Sequence, residues 1–431
     1  MRVAFYTLGC KLNQAETESL TNQFSQSGFE ITSANDVADI CIANTCTVTH
    51  IADRKSRHWL RLARRRNPQA LIIATGCYAQ RSPQELAQLA DLVIDNKGKE
   101  QLVALTQALS FERSGAGPIL NSGEYEGQAE QAQMATARTR SLIKIQDGCH
   151  SPCTYCIVPK VRPREYSLPA ARIIDEVKQK VASGYKEVVL TGTKVGSYKD
   201  GATHLKDLVQ RILGNTHIQR LRLSSLQPSE ISPEFLTLWQ DERLCRHFHL
   251  ALQSGSDTVL QRMKRSYSLD QYQKAINLLR ETIPGVAVTT DIMLGFPGES
   301  DEEFEQSYSF CQQAGFANIH VFPFSSRPGT IAARMPQQIK AKIKKERDHR
   351  MLELSRISRR RSWEQFIGQT VAVLWEKETS PGSGVYSGLT SNYIRVFAHS
   401  KKPLTNEMTP VELVRLHDQG VWGEIVNENS G

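Results

Sequence analysis

Apolar and polar positions fall in alternating blocks along the N-terminal part of the chain. Short apolar runs at Val3–Thr7, Ile40–Ala43, Leu71–Ala74 and Leu92–Ile94 predict strands. Between them, Ala15–Ser27 (with Leu20 and Phe24 on one face), Asp53–Arg66 and Pro83–Leu89 carry helical patterns. Strand and helix in alternation argue for a parallel α/β sheet covered by helices. From Phe111 to Thr139 the chain is rich in Gly, Ser, Glu, Gln and Ala and poor in large apolar groups. Such a stretch buries no core, so it predicts a linker or long surface loop. A second alternating series begins at Ser141, with strands expected at Leu142–Ile145, Glu187–Leu190, Arg220–Ser224, His247–Leu252, Val286–Leu294 and Ile319–Phe324. Six strands with helical crossovers predict a partial (β/α)6 barrel whose ligands lie at the C-terminal strand ends. A basic helix, Gln338–Arg361, closes this part. The pattern then shortens: Val371–Leu374, Gly384–Tyr386 and Tyr393–Val396, separated by Gly, Ser, Pro and Asn, predict a small β-barrel. The expected domains are residues 1–110, a linker at 111–139, 140–365 and 366–431.

Composition changes this picture little. The chain has 431 residues, 40% hydrophobic and 23% charged, which suits a globular protein with sizeable cores and excludes a disordered or fibrous one. Its formal net charge of +8 leans toward a polyanionic partner. No apolar run is long enough to span a bilayer. The N-terminal residues read as a strand rather than a secretory signal, so a cytoplasmic protein with no membrane association is expected.

The nine cysteines change more. An odd number spread over a long cytosolic chain suggests metal binding or catalysis before disulfides. Cys41, Cys245 and Cys311 lie in apolar surroundings and are expected to be small buried hydrophobes. Cys149, Cys153 and Cys156 form a Cys-x3-Cys-x2-Cys loop after Asp147-Gly148. Three thiolates hold three corners of a four-iron cluster and leave one iron open. An open iron can chelate the amino and carboxylate groups of S-adenosylmethionine, and reductive cleavage of the sulfonium releases a 5′-deoxyadenosyl radical. The alternative is a zinc site with His150 as fourth ligand, which its adjacency to Cys149 makes awkward.

Other strand ends fit a cofactor. Thr191 and Gly192 end the second barrel strand, Ser225 follows Arg222 after the third, and Gly295 opens the Gly295–Glu299 turn after the fifth. Glycine there allows backbone to approach a ligand closely. Arg222 could offer a cation to a carboxylate, and Gln253, also at a strand end, could contact cofactor or substrate. Cys10, Cys46 and Cys77 are distant in sequence, yet each follows an N-terminal strand. Adjacent parallel strands bring such ends to one sheet edge, so these thiolates can share a second open cluster. Asn13, Gln14 and Asn44 beside them either donate to cluster sulfurs or fill turns.

The loop spacing, with Tyr155 before its last cysteine, resembles the radical S-adenosylmethionine superfamily. With three cysteines ahead of it, the chain as a whole resembles the methylthiotransferases: an N-terminal three-cysteine domain, a radical domain and a C-terminal TRAM-like domain. Gly9-Cys10-Lys11-Leu12-Asn13-Gln14 with Glu16-Thr17-Glu18, Asn44–Thr49 and Asp147-Gly148-Cys149 resemble the MtaB-type branch. Ala251 departs from the Pro expected there. The resemblance implies two 4Fe–4S clusters and S-adenosylmethionine as cofactors. It implies sulfur and methyl carriage at Cys10, Cys46 and Cys77 and radical generation at Cys149, Cys153 and Cys156. It also implies methylthiolation of adenine C2 in N6-threonylcarbamoyladenosine, in the anticodon stem-loop of tRNA. An electron donor such as flavodoxin or ferredoxin and a sulfur donor are expected partners. The branches acting on isopentenyladenosine in tRNA or on a ribosomal protein remain open.

Basic clusters at Arg54–Arg66 and Lys340–Arg361 suit phosphate contacts. Tyr393 and Arg395 are candidate RNA contacts on the small barrel, with Phe397 adding stacking. A reading from another class is a non-catalytic iron–sulfur RNA-binding or electron-carrier protein. Two open three-ligand sites argue against it, because a carrier gains nothing from an open iron.

Overall fold

The computed structural model describes residues 1–114 and 139–426. The N-terminal elements are β1 (Arg2–Thr7), α1 (Lys11–Gln26), β2 (Glu30–Thr32), β3 (Ile40–Thr45), α2 (His50–Arg66), β4 (Leu71–Gly76), α3 (Cys77–Arg81), β5 (Leu92–Val93) and α4 (Leu102–Ser114). All five strands are parallel, in the order β2-β1-β3-β4-β5. The central strands β3 and β4 are buried along their whole length, because helices cover both faces. Period-two alternation divides their side chains. Ile40 and Ile42 face Leu20, Phe24 and Leu102, whereas Cys41 and Ala43 face Trp59, Leu60 and Tyr78. Helix α2 starts at Thr49, whose hydroxyl accepts from the Ala52 N–H at 3.1 Å, and it ends in Arg64-Arg65-Arg66, which suits the negative end of its dipole. Helix α4 runs to Ser114, four residues into the predicted linker, and residues 115–138 of that linker lie outside the described residues. Residues Ile157–Pro163 pack with this first compact unit although they follow Cys156 directly in the chain.

The second unit contains β6 (Arg140–Lys144), α5 (Ala170–Ala182), β7 (Glu187–Thr191), α6 (Leu205–Asn215), β8 (Arg220–Leu223), β9 (His247–His249), α7 (Leu269–Thr282), β10 (Ala287–Leu294), α8 (Asp301–Ala314), β11 (Asn318–Pro323) and α9 (Ala341–Glu364). Two parallel three-stranded sheets, β8-β7-β6 and β9-β10-β11, are joined by the pairs Leu221↔Leu244 and Leu226↔Leu250. The result is the six-stranded partial barrel that the sequence pattern predicts. One large core, including Val188, Leu190, Leu221, Phe248, Ile276 and Ile292, fills the space between strands and helices.

The same unit ends in a closed barrel of β12 (Thr370–Glu378), β13 (Val385–Thr390), β14 (Arg395–His399), β15 (Met408–His417) and β16 (Gly420–Ile425), in the order β12-β13-β14-β16-β15 around Trp375. Strands β15 and β16 escape the sequence reading. Their exposed faces are strongly polar, and Pro410 and Gly423 interrupt the apolar run. Edge strand β2 escapes it because it has only three residues.

A buried charge cluster seats the small barrel on the large one. Glu187 is fully buried and accepts from Arg222 Nε at 2.8 Å, with Arg220 at 3.9 Å. Burial opposes its charge, but Arg222 and then Arg140 and Arg220 hold its pKa below the ordinary carboxylate range. The arginines reach onward to small-barrel carbonyls: Arg222 to Ser391 at 2.9 Å and Arg220 to Leu389 at 2.8 Å. Arg222 is therefore a structural cation locked under the small barrel, and the expectation that it meets a ligand carboxylate is corrected.

Candidate active site

The three N-terminal cysteines stand at the C-terminal ends of three adjacent strands. Cys10 caps α1 after β1, Cys46 follows β3, and Cys77 begins α3 after β4. Their backbones approach closely. A Cβ added at Gly9 would lie 2.8 Å from Cys46 Cβ, and one at Gly76 would lie 2.4 Å from the Thr45 carbonyl. Both glycines have positive φ, +114° and +96°, which other residues adopt only with strain. Polar side chains stitch the loops together. Asn13 Nδ2 donates to the carbonyls of Leu8 at 2.9 Å and Thr45 at 3.1 Å, Asn44 Nδ2 donates to Asn13 O at 2.9 Å, and Thr45 Oγ1 donates to Thr75 O at 2.6 Å. Asn13 and Asn44 thus fix turns.

The thiols also sense one another. Burial, with smaller contributions from the nearby Cys77 and Cys10, pushes Cys46 up to about 12. Desolvation raises Cys10 too, although the residue is accessible as a whole; Cys77 adds to this, and the Asn13 N–H and the Arg162 guanidinium oppose it. Thiols raised in this way stay protonated until a metal binds, so loading a cluster here releases protons. Sequence reasoning missed Arg162. It donates to Glu16 at 2.8 and 2.9 Å and to Asn13 Oδ1 at 2.9 Å, while Lys99 reaches the same carboxylate at 2.5 Å. Its number gives no hint of this place, because the Ile157–Pro163 segment joins the first unit only through folding.

In the second unit, the loop bearing Cys149, Cys153 and Cys156 is held on several sides. Gly148 has φ +75° and lies so close to Arg164 O that an added Cβ would clash at 2.0 Å. Gln146 Nε2 donates to Gly148 O at 2.7 Å, and the Cys156 N–H to Cys153 O at 3.1 Å. Thr154 is bonded through its N–H to Met263 O at 3.0 Å and through its hydroxyl to Arg262 O at 3.0 Å. Arg265 Nη1 donates to Cys153 Sγ at 3.3 Å and its guanidinium lies 4.9 Å from the Tyr267 ring centre. A cation beside a thiolate ligand stabilises its charge. Sequence spacing gave no sign of it.

The zinc alternative finds no support in this loop. His150 is two-thirds exposed, with Nδ1 3.6 Å from Glu165. Among the described residues, no three His, Cys, Asp or Glu side chains are arranged to hold a single metal ion. Thiolates on a four-iron cluster bind different irons and stand further apart than the ligands of one ion. Both sets, one on an ordered loop and one at the end of a parallel sheet, offer three thiols, the donor type that iron–sulfur clusters take.

The expected cofactor contacts divide. Thr191 is buried at the end of β7, and Gly192 packs on Gln146, where an added Cβ would lie 2.8 Å from the carbonyl. Ser225 is exposed at its strand end. Gln253 holds φ +70°, pairs with Ile292 and donates its N–H to Asp291 O at 2.8 Å. Gly295 holds φ +69°, its N–H bonds Glu299 Oε2 at 2.6 Å, and the room left by its missing side chain is filled by Lys344. The candidate RNA residues have contacts within the chain. Tyr393 is used internally: its hydroxyl accepts from Arg140 at 2.9 Å, Arg222 lies 4.1 Å from its ring centre, and His247 packs 4.5 Å away. Arg395 pairs with Glu376 at 2.9 Å and Phe397 is buried. Of the basic helices, Arg57, Arg64, Arg347 and Arg350 pair with acidic residues, whereas Arg54, Lys55, Arg61, Lys342, Lys345 and Arg361 are exposed. Cys41, Cys245 and Cys311 are buried, as expected. No helix among the described residues is long and apolar enough to cross a membrane.

The model of the Radical SAM superfamily matches residues 143–311, and that of the uncharacterized protein family UPF0004 matches residues 2–95. The chain is 36% identical over 99% of its length to the threonylcarbamoyladenosine tRNA methylthiotransferase MtaB of Bacillus subtilis, covering 97% of that protein. It is 30% identical, over 97% of its length and 93% of the relative, to the tRNA-2-methylthio-N(6)-dimethylallyladenosine synthase of Methylacidiphilum infernorum. Among solved structures, the radical S-adenosylmethionine methyltransferase TsrM of Kitasatospora setae shares the fold, with a TM-score of 0.55 at 16% identity over 74% of this chain and 72% of that one. The chain belongs to the radical S-adenosylmethionine methylthiotransferases, in their MtaB-type branch. S-adenosylmethionine and a 4Fe–4S cluster come with that membership.

Proposed function

We propose that the protein installs a methylthio group at C2 of N6-threonylcarbamoyladenosine, next to the anticodon of tRNA. Full-length similarity to the Bacillus subtilis methylthiotransferase carries this reading, together with two separate sets of three cysteines. Cys149, Cys153 and Cys156 would hold one 4Fe–4S cluster with an open iron, and Cys10, Cys46 and Cys77 a second. When bound, the clusters and S-adenosylmethionine supply a 5′-deoxyadenosyl radical and a methylated sulfur for transfer. The chain's own residues order the ligands. Gly148 and Thr154 fix the radical loop, Arg265 balances Cys153, and Arg162 sits beside Cys10. Thr191, Gly192, Ser225, Gln253 and Gly295 line the strand ends where S-adenosylmethionine would lie. The exposed arginines and lysines of α2 and α9 would meet tRNA phosphates. A reductant of the flavodoxin or ferredoxin type and a sulfur donor complete the reaction.

Two measurements test this. Reconstituted, reduced protein should release 5′-deoxyadenosine from S-adenosylmethionine; none would sink the radical reading. Transfer RNA from a deletion strain should lack the 2-methylthio form of threonylcarbamoyladenosine, and its persistence without a second enzyme would refute the substrate. The second reading, action on dimethylallyladenosine, is favoured by the Methylacidiphilum relative and predicts loss of the 2-methylthio form of that nucleoside instead.

A further inference from the structure

The inner wall of the second half-barrel carries a two-layer arrangement that the reading above does not use. Along β10, Thr290 bonds Tyr272 of α7 at 3.0 Å and Ile292 lies in the core, so these face outward. Asp291 and Met293 therefore face the barrel interior. Register pairs Asp291 with His320 and Met293 with Phe322 on β11, while Ile319 and its backbone turn outward to Ser355 of α9. His320 and Phe322 thus share the inner face. From β9, His249 Nε2 comes within 3.2 Å of Asp291 Oδ2, its Nδ1 bonds Thr289 Oγ1 at 3.0 Å, and its ring lies 5.5 Å from that of His320.

One layer is polar, with His249, Asp291 and His320. The next, nearer the strand ends, is apolar, with Met293 and Phe322. Met293 belongs to the same apolar cluster as Tyr155 of the radical loop, which puts this layer beside that loop. Phe322 is 46% exposed, His320 is exposed, and the Asp291 side chain keeps 28% of its surface. Below, His247 and Tyr393 close the wall. A large aromatic side chain left open above a partly open carboxylate and imidazole suits a flat ring bearing a polar substituent.

We propose that this wall receives the adenine being modified, stacked on Phe322, with Asp291 and His320 reading its N6 substituent. The inference rests on the threonylcarbamoyl reading given above. That substituent carries urea N–H donors, which match the Asp291 carboxylate, and a threonine carboxylate, which matches an imidazole N–H of His320. A dimethylallyl group offers neither a donor for the carboxylate nor a charge for the imidazole, and covering these polar side chains with it costs desolvation.

The test measures binding of anticodon stem-loops bearing threonylcarbamoyl- or isopentenyladenosine to the reconstituted holoprotein, by fluorescence anisotropy. Wild type should prefer the threonylcarbamoyl stem-loop. His320→Leu should cut that preference about tenfold, a change expected for one lost hydrogen bond to a charged group. His320→Gln, which keeps a donor, should restore part of it, and Asp291→Asn should also lower it. Iron content and far-UV circular dichroism establish that each variant is folded and loaded. If wild type prefers the threonylcarbamoyl stem-loop and all variants keep that preference, the inference is overturned while the substrate reading stands. If wild type prefers the isopentenyl stem-loop, the substrate reading fails, and the inference with it.

Discussion

Each compact unit carries one of the two sets of three candidate cysteines, and the two sets are brought together by opposite routes. In the second unit, Cys149, Cys153 and Cys156 lie within one loop, whose shape is set by Gly148, Thr154 and neighbouring carbonyls. In the first unit, Cys10, Cys46 and Cys77 come from three strands, and only the parallel order β1-β3-β4 makes them neighbours. A local loop survives small changes elsewhere in the sheet. A site assembled from strand ends depends on register, on two glycines at positive φ and on Asn13, Asn44 and Thr45 tying the loops together.

The sharpest break between the two is chemical. Cys153→Ala should remove both cleavage of S-adenosylmethionine and methylthiolation, whereas Cys46→Ala should remove methylthiolation and leave cleavage. Chromatography of 5′-deoxyadenosine and of modified nucleosides reads both; equal loss of cleavage in the two variants would erase the division of labour. The next effect falls on folding. Glu187→Gln leaves Arg222 and Arg220 buried without their counter-charge and should cost about 3–5 kcal/mol, read as a lower urea midpoint for the second unit. Gly76→Ala should be milder, about 1–3 kcal/mol, from a strained φ of +96° and the clash with Thr45 O. In Gly76→Ala protein, iron bound through Cys10, Cys46 and Cys77 should fall while iron on the radical loop stays, which Mössbauer counting in each triple-cysteine background would show. The smallest effect is electrostatic and lies in the second unit. Hydrogen bonds from Arg262 hold Glu303 down to about 2. A carboxylate depressed on folding stabilises above its ordinary value of 4.5 and loses that stabilisation as pH falls toward 2. A urea midpoint that drops less over this window in Glu303→Gln than in wild type would bear this out.

The sequence by itself determined much of this protein. Short apolar runs located every strand of the N-terminal sheet except the three-residue β2, and all six strands of the half-open barrel, because burial between helix layers demands them locally. The spacing of Cys149, Cys153 and Cys156 marked the radical loop, and strand-end placement singled out Cys10, Cys46 and Cys77. Periodicity reports which face a residue takes, but not which distant residue it meets. Only the tertiary structure put Arg162 beside Cys10 and Arg265 on Cys153, and turned Arg222 and Tyr393 from ligand contacts into the joint between two barrels. It alone aligned His320 with Asp291, since strand register is fixed by packing across the whole barrel rather than by either strand.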